Sequence, residues 1–462
     1  MHISDCLSEY RLGVLGQRAT DFLAVRRIAP IECFLICEGG EDADSIAGIS
    51  PLLSPEHEDS HRRVWTNRSL GELVGLARAQ LGDIVRNPQF PLNLLAYSAT
   101  AEWELFAAEK GIFLNVIAPN AKLKTALDDK ILVRGALSRL GLPVPRSLAV
   151  DIAELDYQAL VHQLGHPLVV QQPIGSAGIG TFVVESEEEL KCAGETQKVG
   201  SVLVSSYEGA TTLNVHGLVA PGGIGVSLPS VQLTGIPELS ASWSSYCGND
   251  YSAIKDLRPE VPLEVHRLTA AVGEWLFGQG YRGIYGIDMV IQDNTVRILE
   301  VNPRLQGSTW LLSELELESG NVPMAINHFL QLLGQPVDLV SKSYAGDGAY
   351  AILHHRGQQP AEVAHDLRPG VFILNEDGQL AWKREGLGLI ELHDDEFLVF
   401  GIPPRPICIV DPGAVLARIA TRSRLATSNG RALTEWAARV VKAVARELST
   451  MSHEDAAIPR IT

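Results

Sequence analysis

The sequence predicts a small parallel α/β unit followed by a larger α+β region, and three observations carry that expectation. Over residues 1–118, apolar strand candidates (Glu32 to Cys37, Leu94 to Ser98, Ile112 to Ile117) alternate with helix-like stretches. Of these, Leu70 to Leu81 and Ala101 to Lys110 repeat apolar residues at helical spacing, and such alternation builds a parallel sheet. Next, Gly286 to Gln292 and Thr295 to Val301 read as two strands joined by a turn at Asp293-Asn294. Lastly, short strands (Ala349 to His354, Val371 to Leu374, Leu389 to Glu391, Phe397 to Phe400) precede a helix over Ala432 to Leu448. The expected division is 1–118, 119–335 and 336–450, with a flexible tail at 451–462.

Bulk properties narrow the function. A chain of 462 residues exceeds what one core organises, so several domains are expected. Hydrophobic residues at 46% and charged ones at 20% mark a globular protein rather than a disordered one. Basic residues number 38 against 55 acidic, giving −17, with no basic cluster, which excludes general nucleic-acid binding. The six cysteines form no C-x-x-C pair and the histidines show no metal spacing, so neither a zinc site nor a disulfide framework is expected. The N-terminus carries no basic and apolar leader, and no apolar run approaches membrane-spanning length. A soluble, reduced, cytoplasmic protein with no membrane partner is the expectation.

The chemistry concentrates between Ala118 and Leu333. Lys130 opens an amphipathic helix that stops at Gly141-Leu142-Pro143-Val144-Pro145. A strand at Ser147 to Val150 and a helix over Ile152 to Leu164 follow. Then come a strand at Leu168 to Val170, a glycine-rich turn over Pro173 to Thr181, and strands Phe182 to Glu185 and Val202 to Ser205. The stretch Glu208 to Asn249 is rich in Gly, Pro and Ser; within it 227–250, with Gln232, Trp243, Tyr246 and Gly248 to Asp250, reads as a mobile substrate loop, and Leu263 to Gln279 reads as a helix.

Four motifs carry chemistry. In I-L-E-V-N-P-R-L-Q-G-S-T, Ile298 to Thr309, strand alternation puts Glu300 and Asn302 on one face, and Asp288 on the neighbouring strand meets it. Two carboxylates and an amide oxygen suit Mg2+, which takes oxygen ligands and fills its shell with substrate phosphates. Arg304 supplies a planar cationic fork, and Gly307, Ser308 and Thr309 open a helix whose free N–H groups receive an anion. In L-V-V-Q-Q-P-I-G-S-A-G-I-G-T, Leu168 to Thr181, glycines between two strands form a flap able to wrap phosphates. It lacks the G-K-[ST] and following helix of a P-loop. Lys130 is positioned for a nucleotide phosphate, and V-L-V-S-S-Y-E-G, Val202 to Gly209, offers backbone groups to an adenine edge. His216, within L-N-V-H-G-L-V, reads as a strand residue.

In this order the motifs resemble the ATP-grasp superfamily of carboxylate–amine ligases, over about Ala118 to Leu333. The resemblance implies an ATP-grasp fold with an N-terminal Rossmann-like α/β domain and an added C-terminal α+β domain. It implies ATP and Mg2+ as cofactors, with Asp288, Glu300 and Asn302 holding the metal. Arg304 would steady the transferred phosphoryl group, with Arg304, Glu300 and Asn302 as the catalytic set and Arg304, Gly307, Ser308 and Thr309 on the substrate side. Lys130, Gln172, Gly175, Ser176, Gly178 and Gly180 would hold the nucleotide phosphates, and Ser205, Ser206 and Tyr207 the adenine. The sequence departs from the family at Gln172, where a lysine usually precedes the proline. The implied reaction joins a small-molecule carboxylate to an amine through an acyl phosphate, releasing ADP and phosphate. The C-terminal region and Y-C-G-N-D are similar to ligases of amino acids or short peptides in bacterial secondary metabolism. Two alternatives stay open: a biotin-carboxylase-like enzyme activating bicarbonate, for which no A-M-K-M attachment motif is present, and a nucleotide-binding module without turnover. A homodimer is an open option.

Overall fold

The structure, a computed structural model, describes residues 3–48, 50–55, 64–66, 68–175, 178, 180–197, 200–209, 211–292, 295–339, 347–448 and 450–452. The Asp293-Asn294 turn, Ser176 and the tail from 453 lie outside the described residues.

The N-terminal strands are β1 (Arg11–Gly16), β2 (Cys33–Ile36), β3 (Leu52–Leu53), β4 (Val64–Trp65), β5 (Leu92–Ala96) and β6 (Leu114–Ile117). All but β4 form a parallel sheet in the order β3-β2-β1-β5-β6, as the strand–helix alternation requires. The sequence pattern missed its central strand, β1, because two glycines dilute the apolar run R-L-G-V-L-G. Gly13 is there for packing: a Cβ on it would lie 2.8 Å from Cys33 Sγ on β2.

A second, antiparallel sheet follows, made of β7 (Ser147–Asp151), β8 (Leu168–Gln171), β9 (Thr181–Val184) and β10 (Ser201–Ser206) in the order β7-β10-β8-β9. Leu168, Val170, Val184, Val202 and Val204 bury one face of it against Leu160, Leu164, Leu190 and Ala193 of two helices. By register, Val169, Gln171, Leu203 and Ser205 share the opposite face. The helix predicted over Ile152 to Leu164 divides into a 3-10 turn, Ile152–Glu154, and a helix, Tyr157–Leu164. Asp156 restarts it by capping the Ala159 N–H.

The stretch Glu208 to Asn249 is largely sheet, and the loop expected over 227–250 carries two of its strands. The stretch contains β11 (Thr211–Ala220), β12 (Gly223–Val226), β13 (Ser230–Thr234) and β14 (Tyr246–Asp250). Composition misled here, because several of its glycines sit inside strands where nothing larger fits. A Cβ on Gly217 would collide with the Tyr285 ring. With β15 (Gly283–Gln292) and β16 (Thr295–Asn302) these strands make half of a large antiparallel sheet.

The other half comes from the C-terminal region. Its strands are β17 (Ala349–His354), β18 (Ala361–Ala364), β19 (Gly370–Leu374), β20 (Leu380–Arg384), β21 (Phe397–Phe400), β22 (Ile407–Val410), β23 (Val415–Thr421) and β24 (Thr450–Ser452). β17 pairs directly with β14, so one sheet runs β16-β15-β11-β13-β14-β17-β23-β21-β19-β20, with β12 beside β11. A further small sheet, β24-β18-β22-β4, ties the N-terminal β4 to the C-terminal region. Leu389–Glu391, expected as a strand, is a 3-10 turn. Among the described residues, no helix is long and apolar enough to cross a membrane.

Candidate active site

The site begins with a change of phase on β16. Val296, Ile298, Glu300 and Asn302 are all even-numbered, so uninterrupted alternation would send the acid and amide into the core with the two aliphatic residues. The strand does not alternate cleanly. Met289 pairs with Ile298 and Asp288 with Glu300, which leaves Leu299 as the extra residue of a β-bulge. Beyond it Val301 takes over the core face, while Glu300 and Asn302 turn to meet Asp288.

There the Asn302 amide nitrogen lies 3.4 Å from Asp288 Oδ2 and 3.3 Å from Glu300 Oε1. Its oxygen accepts from Arg304 Nη2 at 3.1 Å. Asp288 Oδ1 also accepts from Asn214 Nδ2 at 2.7 Å and Gln232 Nε2 at 3.4 Å. Burial raises the Asp288 pKa, and the Glu300 charge raises it further. Burial also opposes the charge on Glu300, but the Lys130 ammonium, 3.2 Å away, and neighbouring hydrogen bonds bring its pKa below the usual carboxylate value. Two adjacent carboxylates of which only one is comfortably ionised form a site short of positive charge, the condition a divalent cation relieves. Among the described residues no group of three or more His, Cys, Asp and Glu could hold a metal ion. A divalent cation here would be held by the two carboxylates, the Asn302 oxygen joining them only by giving up its bond from Arg304, and phosphate oxygens would complete its shell.

Lys130 joins this cluster to the glycine flap. It begins the helix Lys130–Arg139 behind the N-cap Asp129, and its Nζ donates to the Gly175 carbonyl at 2.7 Å. Its own N–H bonds the Pro173 carbonyl at 2.8 Å. Gly178 and Gly180 have φ of +83° and +73°, a backbone that suits glycine, and a Cβ on Gly180 would sit 2.7 Å from Gln172 Cδ. Gln172 thus packs at the base of the flap. Gln171, which the motif reading passed over, shares a strand face with Val169 and Ser205. At the end of β10, the N–H groups of Ser206 and Tyr207 are engaged by the carbonyls of Arg146 (3.0 Å) and Pro167 (3.3 Å). Neither N–H is therefore free in this structure.

Arg304 leaves β16 and reaches across to the N-terminal unit. Its Nη1 donates to the Leu305 carbonyl at 2.9 Å and to Tyr97 Oη at 3.3 Å. Ser308 and Thr309 turn their hydroxyls inward. Ser308 Oγ donates to Asn214 Oδ1 at 2.9 Å, and Thr309 Oγ1 accepts the Gln306 N–H at 2.8 Å beside His216 Nε2 at 3.0 Å. At the start of helix Thr309–Glu318 the Thr309 N–H is taken by the Gln306 carbonyl at 3.1 Å, while among the described residues no partner holds the N–H of Gly307 or Ser308. Tyr246 and Tyr350, hydrogen-bonded to each other, stand over Gly307. Asn214, Tyr97 and Tyr350 escaped the sequence reading because each arrives from a distant segment with no motif around it, whereas Gln232 was expected in a substrate loop and lies on β13 instead. Only Gln306, inside the N-P-R-L-Q-G-S-T run, carried a local signal.

A glycine flap, a lysine facing it, a carboxylate pair and a helix start whose Gly307 and Ser308 N–H groups have no partner among the described residues thus converge on one site. Residues 127–308 match the ATP-grasp domain. The chain is 27% identical over 217 residues to the D-alanine–D-alanine ligase of Desulforudis audaxviator, covering 44% of this chain and 68% of that one. To the formate-dependent phosphoribosylglycinamide formyltransferase of Paraburkholderia xenovorans it is 24% identical over 352 residues, 72% of this chain and 79% of that one. Biotin carboxylase from Campylobacter jejuni shares its fold, with a TM-score of 0.62, 15% identity and coverage of 96% and 92%.

Proposed function

We propose that this chain uses ATP to activate a small carboxylate as an acyl phosphate and passes the acyl group to an amine, releasing ADP and phosphate. The observation that carries it is the convergence of Asp288, Glu300, Asn302, Lys130 and Arg304 between a glycine flap and a helix start with free N–H groups. In this reading 119–335 is the catalytic core, 1–118 and 336–450 close the substrate side, and the chain works in the cytoplasm, a homodimer being its proposed assembly.

A carboxylate oxygen of the substrate attacks the γ-phosphorus and ADP departs; the amine nitrogen then attacks the acyl carbon, phosphate departs and the amine loses a proton. Both partners of the first step are anions, so the protein's task is placement and charge neutralisation. Asp288, Glu300 and Asn302 would hold Mg2+, which when bound would supply positive charge beside the phosphates. Lys130 tethers the flap through Gly175 and faces the same phosphates. Arg304 and the Gly307 and Ser308 N–H groups receive the negative charge that develops as the phosphoryl group moves. Amino acids or short peptides of bacterial secondary metabolism are the proposed substrates.

The test measures ADP and phosphate across pairwise mixtures of amino acids and small carboxylates, bicarbonate among them. A productive pair should give ADP, phosphate and an amide, and with hydroxylamine in place of the amine a hydroxamate. AMP and pyrophosphate as products would overturn the mechanism. Carboxylation with bicarbonate alone would favour the biotin-carboxylase-like alternative, and nucleotide binding with no turnover across the screen would favour a binding module.

A further inference from the structure

Arg134 sits where a core residue belongs. On helix Lys130–Arg139 its neighbours Val133 and Leu137 enter the hydrophobic core with Val296, Ile298 and Val301 of β16. Arg134 is equally enclosed, at 4% exposure. Enclosing a guanidinium without a carboxylate is costly, and among the described residues no acid lies within ion-pair distance of it. Burial pushes its pKa down to about 10, with only the more distant Glu300 and Glu208 charges acting the other way. One Nη has no hydrogen-bond partner among the described residues. The other donates to the carbonyl of Leu299 at 2.6 Å.

Leu299 is the bulge residue. Its carbonyl belongs to the peptide that links it to Glu300, so the guanidinium grips the backbone at the point where β16 changes phase. Lys130, one helical turn earlier and on the same side of the helix, reaches the Glu300 carboxylate itself. The helix thus holds Glu300 at two points, one on its side chain and one on its backbone. An aliphatic residue at 134 would complete the core and leave the bulge without that hold, free to slip by one residue.

We propose that Arg134 is a positioning residue that pins the Leu299 bulge, and so keeps Glu300 and Asn302 facing Asp288 rather than the core. The proposal rests on the functional reading only for what those three residues bind. The device concerns the protein's own backbone and is testable without substrate.

Two measurements on Arg134→Met, which keeps length and loses the donor, decide it. Amide exchange without ligand reads the bulge: Val296 to Asn302 should exchange at least ~10-fold faster, while Gly283 to Ile287 on β15 changes little. Calorimetry reads the consequence: ADP affinity without Mg2+ should stay within about twofold of the parent, and the gain on adding Mg2+ should shrink at least ~10-fold. Arg134→Lys, which can still donate to one carbonyl, should recover part of both effects and serves alone if the Met variant fails to fold. Unchanged exchange over Val296 to Asn302 in a folded variant would overturn the proposal. So would an undiminished Mg2+ gain. If the parent protein itself bound ADP with no Mg2+ dependence, the metal reading would fall, while the exchange result would still decide the role of Arg134.

Discussion

Glu300 is the residue on which most of the local electrostatics converge. It lies between the Lys130 ammonium and the Asp288 carboxylate, and its side chain keeps 23% exposure, so removing its charge need not disturb the fold. Glu300→Gln should therefore keep the parent melting temperature within a few degrees and lose at least ~100-fold in turnover, the scale of deleting one preorganised charge. Near-parental turnover would remove Glu300 from the metal set. A second single-residue test concerns stability. Glu316 is buried, accepts the Met324 N–H at 2.9 Å, and burial raises its pKa to about 8. It stays protonated in the folded chain while ionising near 4.5 in the unfolded one, so its contribution is complete at low pH and drains away as pH rises from about 4.5 towards 8. Glu316→Gln keeps an acceptor for Met324 and cannot ionise. Melting curves from pH 5 to 9 should therefore show a weaker alkaline decline in the variant, and parallel curves would mean that Glu316 is not the group responsible.

At the scale of elements, the flap and the Lys130 helix act as one piece, because Lys130 bonds the flap through both its side chain and its backbone. Lys130→Ala keeps the backbone bond and loses the side-chain one. ADP affinity should fall about tenfold, the order expected for one charge-assisted hydrogen bond, and exchange at Gly175 and Gly180 should quicken. An unchanged ADP affinity would detach Lys130 from the nucleotide site. The same elements show what a sequence discloses. The strands around the flap and the helix at Lys130 were legible because period and stop signals agreed with the final packing. Glu300 and Asn302 were correctly placed on one face, but the alternation that placed them could not say which face, since the bulge at Leu299 has no signature of its own. The strands β13 and β14 were hidden because composition there, Gly248 included, reads as loop where tertiary contacts require strand.

For the molecule as a whole, nucleotide should act as a stabiliser. Mg-ADP at 100 times its Kd is worth about 2.7 kcal/mol to a state that alone binds it, a rise that should need Mg2+ and shrink in Lys130→Ala. A melting curve unmoved by millimolar Mg-ADP would remove the ATP site. Acid should have the opposite effect. Burial depresses His216 and His328 to about 3 and His354 to about 4, so the folded chain refuses protons that the unfolded one accepts below about 6.5. Stability should decline as pH falls from about 6.5 towards 3, and a melting temperature flat over that range would contradict their burial as neutral rings. The pairing of β14 with β17 has a practical corollary. Gly248, Asn249 and Asp250 meet Ala351, Tyr350 and Ala349, and the Asp250 carboxylate takes the N–H groups of Leu425 and Ala426 at 2.9 and 3.1 Å. A gene cut after codon 335 would not release a smaller working enzyme. It would expose an open seam, with a row of unmet backbone groups and an enclosed acid left with the Ala253 N–H but without the two donors from Leu425 and Ala426, and strands in that condition adhere to one another. The truncated chain should emerge from the size-exclusion column as aggregate, because residues 336–450 serve the ATP-binding half as its selvedge, the woven border that stops a fabric from unravelling.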